Sequence, residues 1–156
     1  MKIRSATLDD YEHLADIFYD SDLYHYQHDK LNNKKPDRHA RSKETVSNWI
    51  NSKDTIMYVA VEEGIPVGLI IVVERTQENT NIFVQKNYAY ILDVGVRKEY
   101  WAKGIGNVLM KEALHWAEKR NIKSIGLRVD VFNQPAIALY EKYGFKTTSF
   151  NMERFD

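Results

Sequence analysis

Two glycines, Gly104 and Gly106, stand one residue apart at the start of a helical run, in the stretch WAKGIGNVLM from Trp101 to Met110. Glycine costs a helix about 1 kcal/mol relative to alanine, so a pair at a helix entrance calls for a reason. The first N–H groups of a helix have no intrahelical partner, and the helix dipole makes that end positive. Glycines let the backbone close on a ligand and take conformations closed to other residues. A strand, a turn, KGIG and a helix therefore make a cradle suited to an anion, phosphate above all. The alternative is a tight turn with close packing, and a bare Gly-x-Gly does not decide between the two.

Two familiar phosphate loops do not fit. A Walker loop needs Gly-Lys-Ser/Thr after the glycines, where this chain has Gly106-Asn107-Val108. A dinucleotide fingerprint needs a third glycine or alanine, and position 109 is leucine. A diphosphate held by backbone amides alone remains open. Close by, Asp93 interrupts an apolar strand, and a carboxylate there needs a partner or a cleft. His25 and His28 lie close together and His39 further on, but no supporting acid or cysteine spacing points to a metal, so none is expected.

These residues need elements to position them. Lys2–Ser5 reads as a strand. Thr7 can cap a helix through Tyr19, with Asp9, Asp10 and Glu12 in its first turn. Asp20–Arg41 reads as polar, tyrosine-rich and irregular. Ser42 can cap a short helix around Val46, Trp49 and Ile50. Thr55–Val61 and Val67–Val73 read as a hairpin across the turn signal EEGIPVG. Arg75–Asn87 is a polar connection, with a short strand suggested at IFV. Tyr88–Val96 is a strand, and Ile105–Arg120 a helix with Ile105, Leu109, Ala113 and Trp116 on one face. SIGLRVDV is the next strand, Pro135 opens a helix that ends at Gly144, and FKTTSFNME returns as a strand. The order β-α-α-β-β-β-α-β-α-β predicts a mixed α/β fold: a mostly antiparallel sheet with a parallel βαβ unit and flanking helices.

A chain of 156 residues fits one domain, 1–156. Lys plus Arg and Asp plus Glu each number 22, so balanced charge gives no reason to expect nucleic acid or an anionic membrane as partner. The absence of cysteine excludes disulfides, thiolate nucleophiles and Cys-ligated zinc. The N-terminus lacks a signal peptide's apolar core, and the longest apolar run, VGLIIVV, is too short for a bilayer, so a cytoplasmic protein is expected. A homodimer is compatible with this reading.

The stretch ILDVGVRKEYWAKGIGNVLMKEAL, followed by VFNQPAIALYEKYGF, resembles the GNAT family of acetyl-CoA-dependent N-acetyltransferases. The family's phosphate loop, Arg/Gln-x-x-Gly-x-Gly/Ala, is matched at Trp101, Ala102, Lys103, Gly104, Ile105 and Gly106, with Asn107 following; Trp101 stands where Arg or Gln is usual. The second motif is matched at Asn133, Ala136, Leu139, Tyr140, Glu141, Lys142, Gly144 and Phe145. The resemblance implies a GNAT-like acyltransferase fold, with acceptor-side elements roughly 1–87 and an acetyl-CoA-binding part roughly 88–156. It implies that Val94, Gly95 and Val96 lay their backbone along the pantetheine arm, beside a β-bulge, and that Asn133 contacts the coenzyme. It makes Tyr140 the candidate general acid toward the departing sulfur, against a packing role on its helix face. Asp93 becomes a candidate base or amine-positioning group, with Glu74 in competition. Tyr24 and Tyr26, with Tyr19, fall where the family builds its acceptor site and could wall a cationic amine. The implied activity is acetyl transfer to a primary amine. An acyl-CoA-binding sensor without turnover is the alternative, and a nucleotide-binding regulator a distant third.

Overall fold

The computed structural model describes residues 1–154 and 156. The elements are β1 (Lys2–Ser5), α1 (Tyr11–His28), α2 (Lys43–Asn51), β2 (Thr55–Glu62), β3 (Ile65–Gln77), β4 (Lys86–Val96), α3 (Ile105–Lys119), β5 (Ile125–Leu127) and α4 (Gln134–Lys142), with 3-10 turns at Leu8–Asp10 and Lys98–Tyr100. The strands form one sheet in the order β1-β2-β3-β4-β5. The first four pair antiparallel; β5 joins β4 in parallel across the α3 connection, at one end of the sheet.

Strand β3 is covered on both faces, which is why VGLIIVV reads as a continuous apolar run rather than an alternation. Leu69 and Ile71 pack with Leu14, Ile17 and Phe18 of α1 and Val46 of α2. Ile70 and Val72 turn the other way, onto Ile105, Leu109 and Met110 of α3. The hairpin between β2 and β3 turns through Glu63 and Gly64, both with positive φ, the two-residue geometry that matches strand twist.

One charged pair pins the start of α1. Arg4 donates two 2.7 Å hydrogen bonds to the Asp10 carboxylate, which also accepts the Thr7 N–H at 2.8 Å. The Arg4 hydrogen bonds, more than any other influence, hold the buried Asp10 carboxyl below its usual range. The depressed carboxyl contributes stability above its unfolded pKa, lost as pH falls through the folded value. Asp10→Ala leaves Arg4 without its partner and is expected to cost about 3 kcal/mol at neutral pH by urea denaturation. The loss should shrink in acid, where the wild-type carboxyl also protonates.

Three expectations need correction. Asp20–His28 is not irregular: it continues α1. Its apolar stripe fades because these turns border an open cleft rather than the core. IFV, at 82–84, is not a strand; β3 and β4 lengthen toward it instead. FKTTSFNME does not return as a strand: Phe145 packs half-buried against the α3-side core, but the residues after it are exposed, so their alternation has no buried face to fill.

Candidate active site

The site begins with a slip in the register of β4. Ile71 pairs with Asp93 but Val72 pairs with Ile91, so Leu92 is an extra residue, a β-bulge. One extra residue reverses which face each later side chain takes. Ala89 and Ile91 pack into the α3-side cluster before the bulge, and Val94 and Val96 pack against that cluster after it. Asp93 is thereby turned toward α1. The parallel ladder with β5 stops at Ile91 and Leu127, immediately before the bulge. From there the two strands part, and a cleft of about 930 Å³ opens between Asp93–Val96 and Arg128–Asp130. This shortens β5 to three residues where Ser124–Val131 was expected.

Of the residues singled out in the sequence, Tyr24, Asp93, Val94, Gly95, Val96, Trp101, Ala102, Gly104, Ile105, Gly106, Asn107, Asn133 and Tyr140 all line this cleft. Three do not. Glu74 is held by Arg120, with two 2.8 Å contacts at the far end of α3, outside the cleft lining. Tyr26 lies under Lys30, and the Lys103 ammonium sits over the Tyr100 ring. The bulge is three residues before Gly95. Gly95 instead provides close approach: a Cβ there would meet Cγ2 of Ile17 at 2.7 Å, so α1 packs directly on the β4 backbone.

At the other end of the cleft, α3 starts at Gly104, which has φ +81°, and no side chain caps it. Ala102 is also left-handed, with φ +60°. A Cβ at Gly104 would meet nothing within 4 Å, so that residue is glycine for its conformation and leaves open space above the amides. A Cβ at Gly106 would come within 3.1 Å of Leu139 Cδ2, so that glycine lets α4 approach α3. The close-packing reading therefore applies at Gly106, while Gly104 leaves the first turn of α3 uncovered.

Asp93 lies 3.8 Å from Nη2 of Arg41, whose guanidinium also pairs with Asp22 and rests on the Phe18 ring. Burial is the main influence on its carboxyl and pushes it up; Arg41 pulls down and Asp22 pushes up again. Tyr140 is pushed up to about 12, first by burial and then by the negative charge of Asp93. The tyrosine therefore stays protonated at neutral pH, while the aspartate is a stronger base than a solvated carboxylate. A raised carboxyl also has a stability sign: the fold prefers the protonated form, so Asp93 loses stability for the protein as pH rises through its unfolded pKa toward the folded one. Asp93→Asn should melt no lower than the wild type at neutral pH, and any advantage should vanish in acid, as differential scanning calorimetry would show.

The sequence model of the acetyltransferase (GNAT) family matches residues 12–145. The chain belongs to the GNAT family. An uncharacterised N-acetyltransferase of Methanocaldococcus jannaschii is 26% identical over 149 residues, 92% of this chain and 60% of the relative, so the chain spans less than two thirds of that protein. A mutant of the BH1408 protein from Bacillus halodurans has the same fold at TM-score 0.93 and 21% identity, covering 99% of this chain and 98% of that one. The PaiA N-acetyltransferase of Thermoplasma acidophilum, solved with coenzyme A, aligns at TM-score 0.78 and 24% identity over 96% and 92% of the two chains. These structural likenesses speak to the fold.

This GNAT chain departs from the family loop at Trp101. Its indole Nε1 donates 2.8 Å to the Val96 carbonyl, tying the loop to the end of β4, and its ring meets Tyr24 edge-on at 5.7 Å. Asn133 caps α4, its side-chain oxygen accepting from Ala136 N at 3.3 Å. Asp22, His25, Arg41 and Asp130 also line the cleft and were not singled out for it. They come from helix α1, the loop before α2 and the stretch after β5, and no spacing in the sequence links them.

Proposed function

We propose that this GNAT protein transfers an acetyl group from acetyl-CoA to a primary amine, as one domain in which the N-terminal elements shape the acceptor side. One observation carries the reading: the split after the bulge puts an uncapped helix N-terminus, a half-buried carboxylate and a protonated tyrosine into one cleft. The open space at Gly104 fits a diphosphate lying against the α3 amides. Bound acetyl-CoA would supply the activated acyl group as a thioester. Among the described residues no cluster suited to a metal ion occurs, and no helix is long and apolar enough to cross a membrane.

The chemical difficulty is the amine. With a pKa of about 10.4, only about one alkylamine in 2,500 is unprotonated at neutral pH. Asp93 meets that need as a carboxylate in the cleft that attracts and positions the amine. Backbone N–H groups on the side of β4 that lost its strand partner are available to a developing oxyanion. Tyr140 holds the proton that the departing sulfur requires. Asp93→Asn should lower turnover roughly tenfold at neutral pH, with acetyl-CoA affinity unchanged. Part of the loss should return at higher pH, where free amine is commoner. Thiol release across a panel of primary amines measures both effects; a variant with the wild-type rate at neutral pH would remove Asp93 from the mechanism.

A further inference from the structure

His25 faces the cleft from α1, and no role above uses it. Its Nδ1 lies 2.9 Å from the Ser21 carbonyl oxygen. A carbonyl only accepts, so Nδ1 carries the hydrogen. The neutral ring then presents Nε2 as a free lone pair. Nε2 lies 3.7 Å from an Asp130 carboxylate oxygen, beyond hydrogen-bond range. The lone pair is not consumed there, yet a proton arriving on Nε2 meets a negative charge. The ring is held edge-on against Tyr24 at 5.9 Å and Phe132 at 5.7 Å. It is 29% exposed, which leaves a route for a proton to solvent. His25 and Asp93 line the same cleft.

We propose that His25 is a second catalytic residue, the group that takes the proton from the acceptor's ammonium, with Asp130 holding the resulting imidazolium. The proposal rests on the acetyl-transfer reading above. One ammonium N–H bond breaks and its electron pair stays on nitrogen; an Nε2–H bond forms; the proton then leaves to water and restores the neutral ring. Asp93, deeper in the cleft, attracts and orients the ammonium. Tyr24 touches the ring and Asp130 lies near it; Asp22 on the same helix, Arg41 from the loop before α2, Asp93 from β4 and Arg128 after β5 line the same cleft, while His28 packs on Tyr24 and Phe132. Tyr140 lies across the cleft on α4.

The test is the pH profile of kcat/KM at saturating acetyl-CoA, with the fastest primary amine of a panel, for the wild type, His25→Gln, Asp130→Asn and His28→Gln. The wild type should lose rate on the acid side of its profile. His25→Gln should fall about tenfold at neutral pH, lose that limb and bind acetyl-CoA normally. Asp130→Asn should lower the rate in the same sense as His25→Gln, because the imidazolium formed during transfer has lost its counter-charge. His28 makes the same kind of bond to a backbone carbonyl, at 2.8 Å, but lies outside the cleft lining, so its variant should match the wild type. Imidazole nitrogen NMR of the unsubstituted protein should find the hydrogen of neutral His25 on Nδ1. The proposal is overturned if His25→Gln keeps the wild-type rate and profile, or if NMR puts that hydrogen on Nε2. A failure of the broader reading looks different: the wild type itself would release no thiol with any amine.

Discussion

Gly104→Asp is expected to weaken acetyl-CoA binding about a hundredfold while the fold stands. The substitution places a carboxylate over the first turn of α3, where the glycine now leaves nothing within 4 Å of a Cβ. Aspartate tolerates the left-handed backbone at φ +81° better than most residues. It is also a good N-cap, so the helix supplies its own anion in place of the ligand's. Two unit charges 4 Å apart repel by about 4 kcal/mol near a protein surface; solvent in an open cleft reduces this to roughly 3 kcal/mol, or about two decades of affinity. Gly106 is a poorer place for the test, because a side chain there also pushes Leu139 of α4. Calorimetric titration with coenzyme A gives the answer alongside a melting curve. Wild-type affinity in a folded Gly104→Asp protein would mean that the diphosphate lies elsewhere.

Tyr140→Phe should lower turnover about a hundredfold with coenzyme affinity and melting temperature nearly unchanged. A general acid contributes about 10²–10⁴ in rate, and a thiol of pKa about 8.5 leaves readily enough to put this one at the lower end. The ring packs against the α3-side core and Phe145, and phenylalanine preserves both contacts. Burial and Asp93 push the hydroxyl up to about 12, so across the working range the wild type keeps a proton that the variant lacks. Tyr143, on the same helix face, acts structurally. Its hydroxyl donates to the Asn107 carbonyl at 2.9 Å and ties α4 to the start of α3. Tyr143→Phe should therefore change stability more than rate. Near-normal turnover in Tyr140→Phe, measured where chemistry limits the rate, would reduce Tyr140 to a packing residue.

The parts of this fold that were legible in the sequence have local causes. Ser42 caps α2 by accepting from Thr45 N at 3.1 Å, as its position before an apolar helix suggested. Pro135 and Gly144 bracket α4, and Gly144 takes φ +84°. The bulge at Leu92 does leave a trace: the buried phase of β4 runs Ala89, Ile91 and then Val94, Val96, a change from odd to even positions. Leucine at the extra position hides that change, because an apolar residue fits either phase. The polar lining of the cleft was less legible for a different reason. Asp22 and Arg41 fell within a stretch that read only as polar and irregular, and Asp130 within an expected strand; the lengthened α1 and the shortened β5 bring the three to one cleft. Long-range placement of polar residues leaves no periodicity to read.

The most direct test follows the acetyl group itself. The protein is incubated with acetyl-CoA labelled in the acetyl carbonyl and with each amine of the panel, and both free thiol and labelled amide are measured. The account predicts amine-dependent thiol release matched by equal label in the amide of at least one amine, and loss of both signals in Tyr140→Phe. Tight acetyl-CoA binding with no amine-dependent release from any acceptor would contradict it, and would leave the cleft as a binding site for acyl-CoA without chemistry.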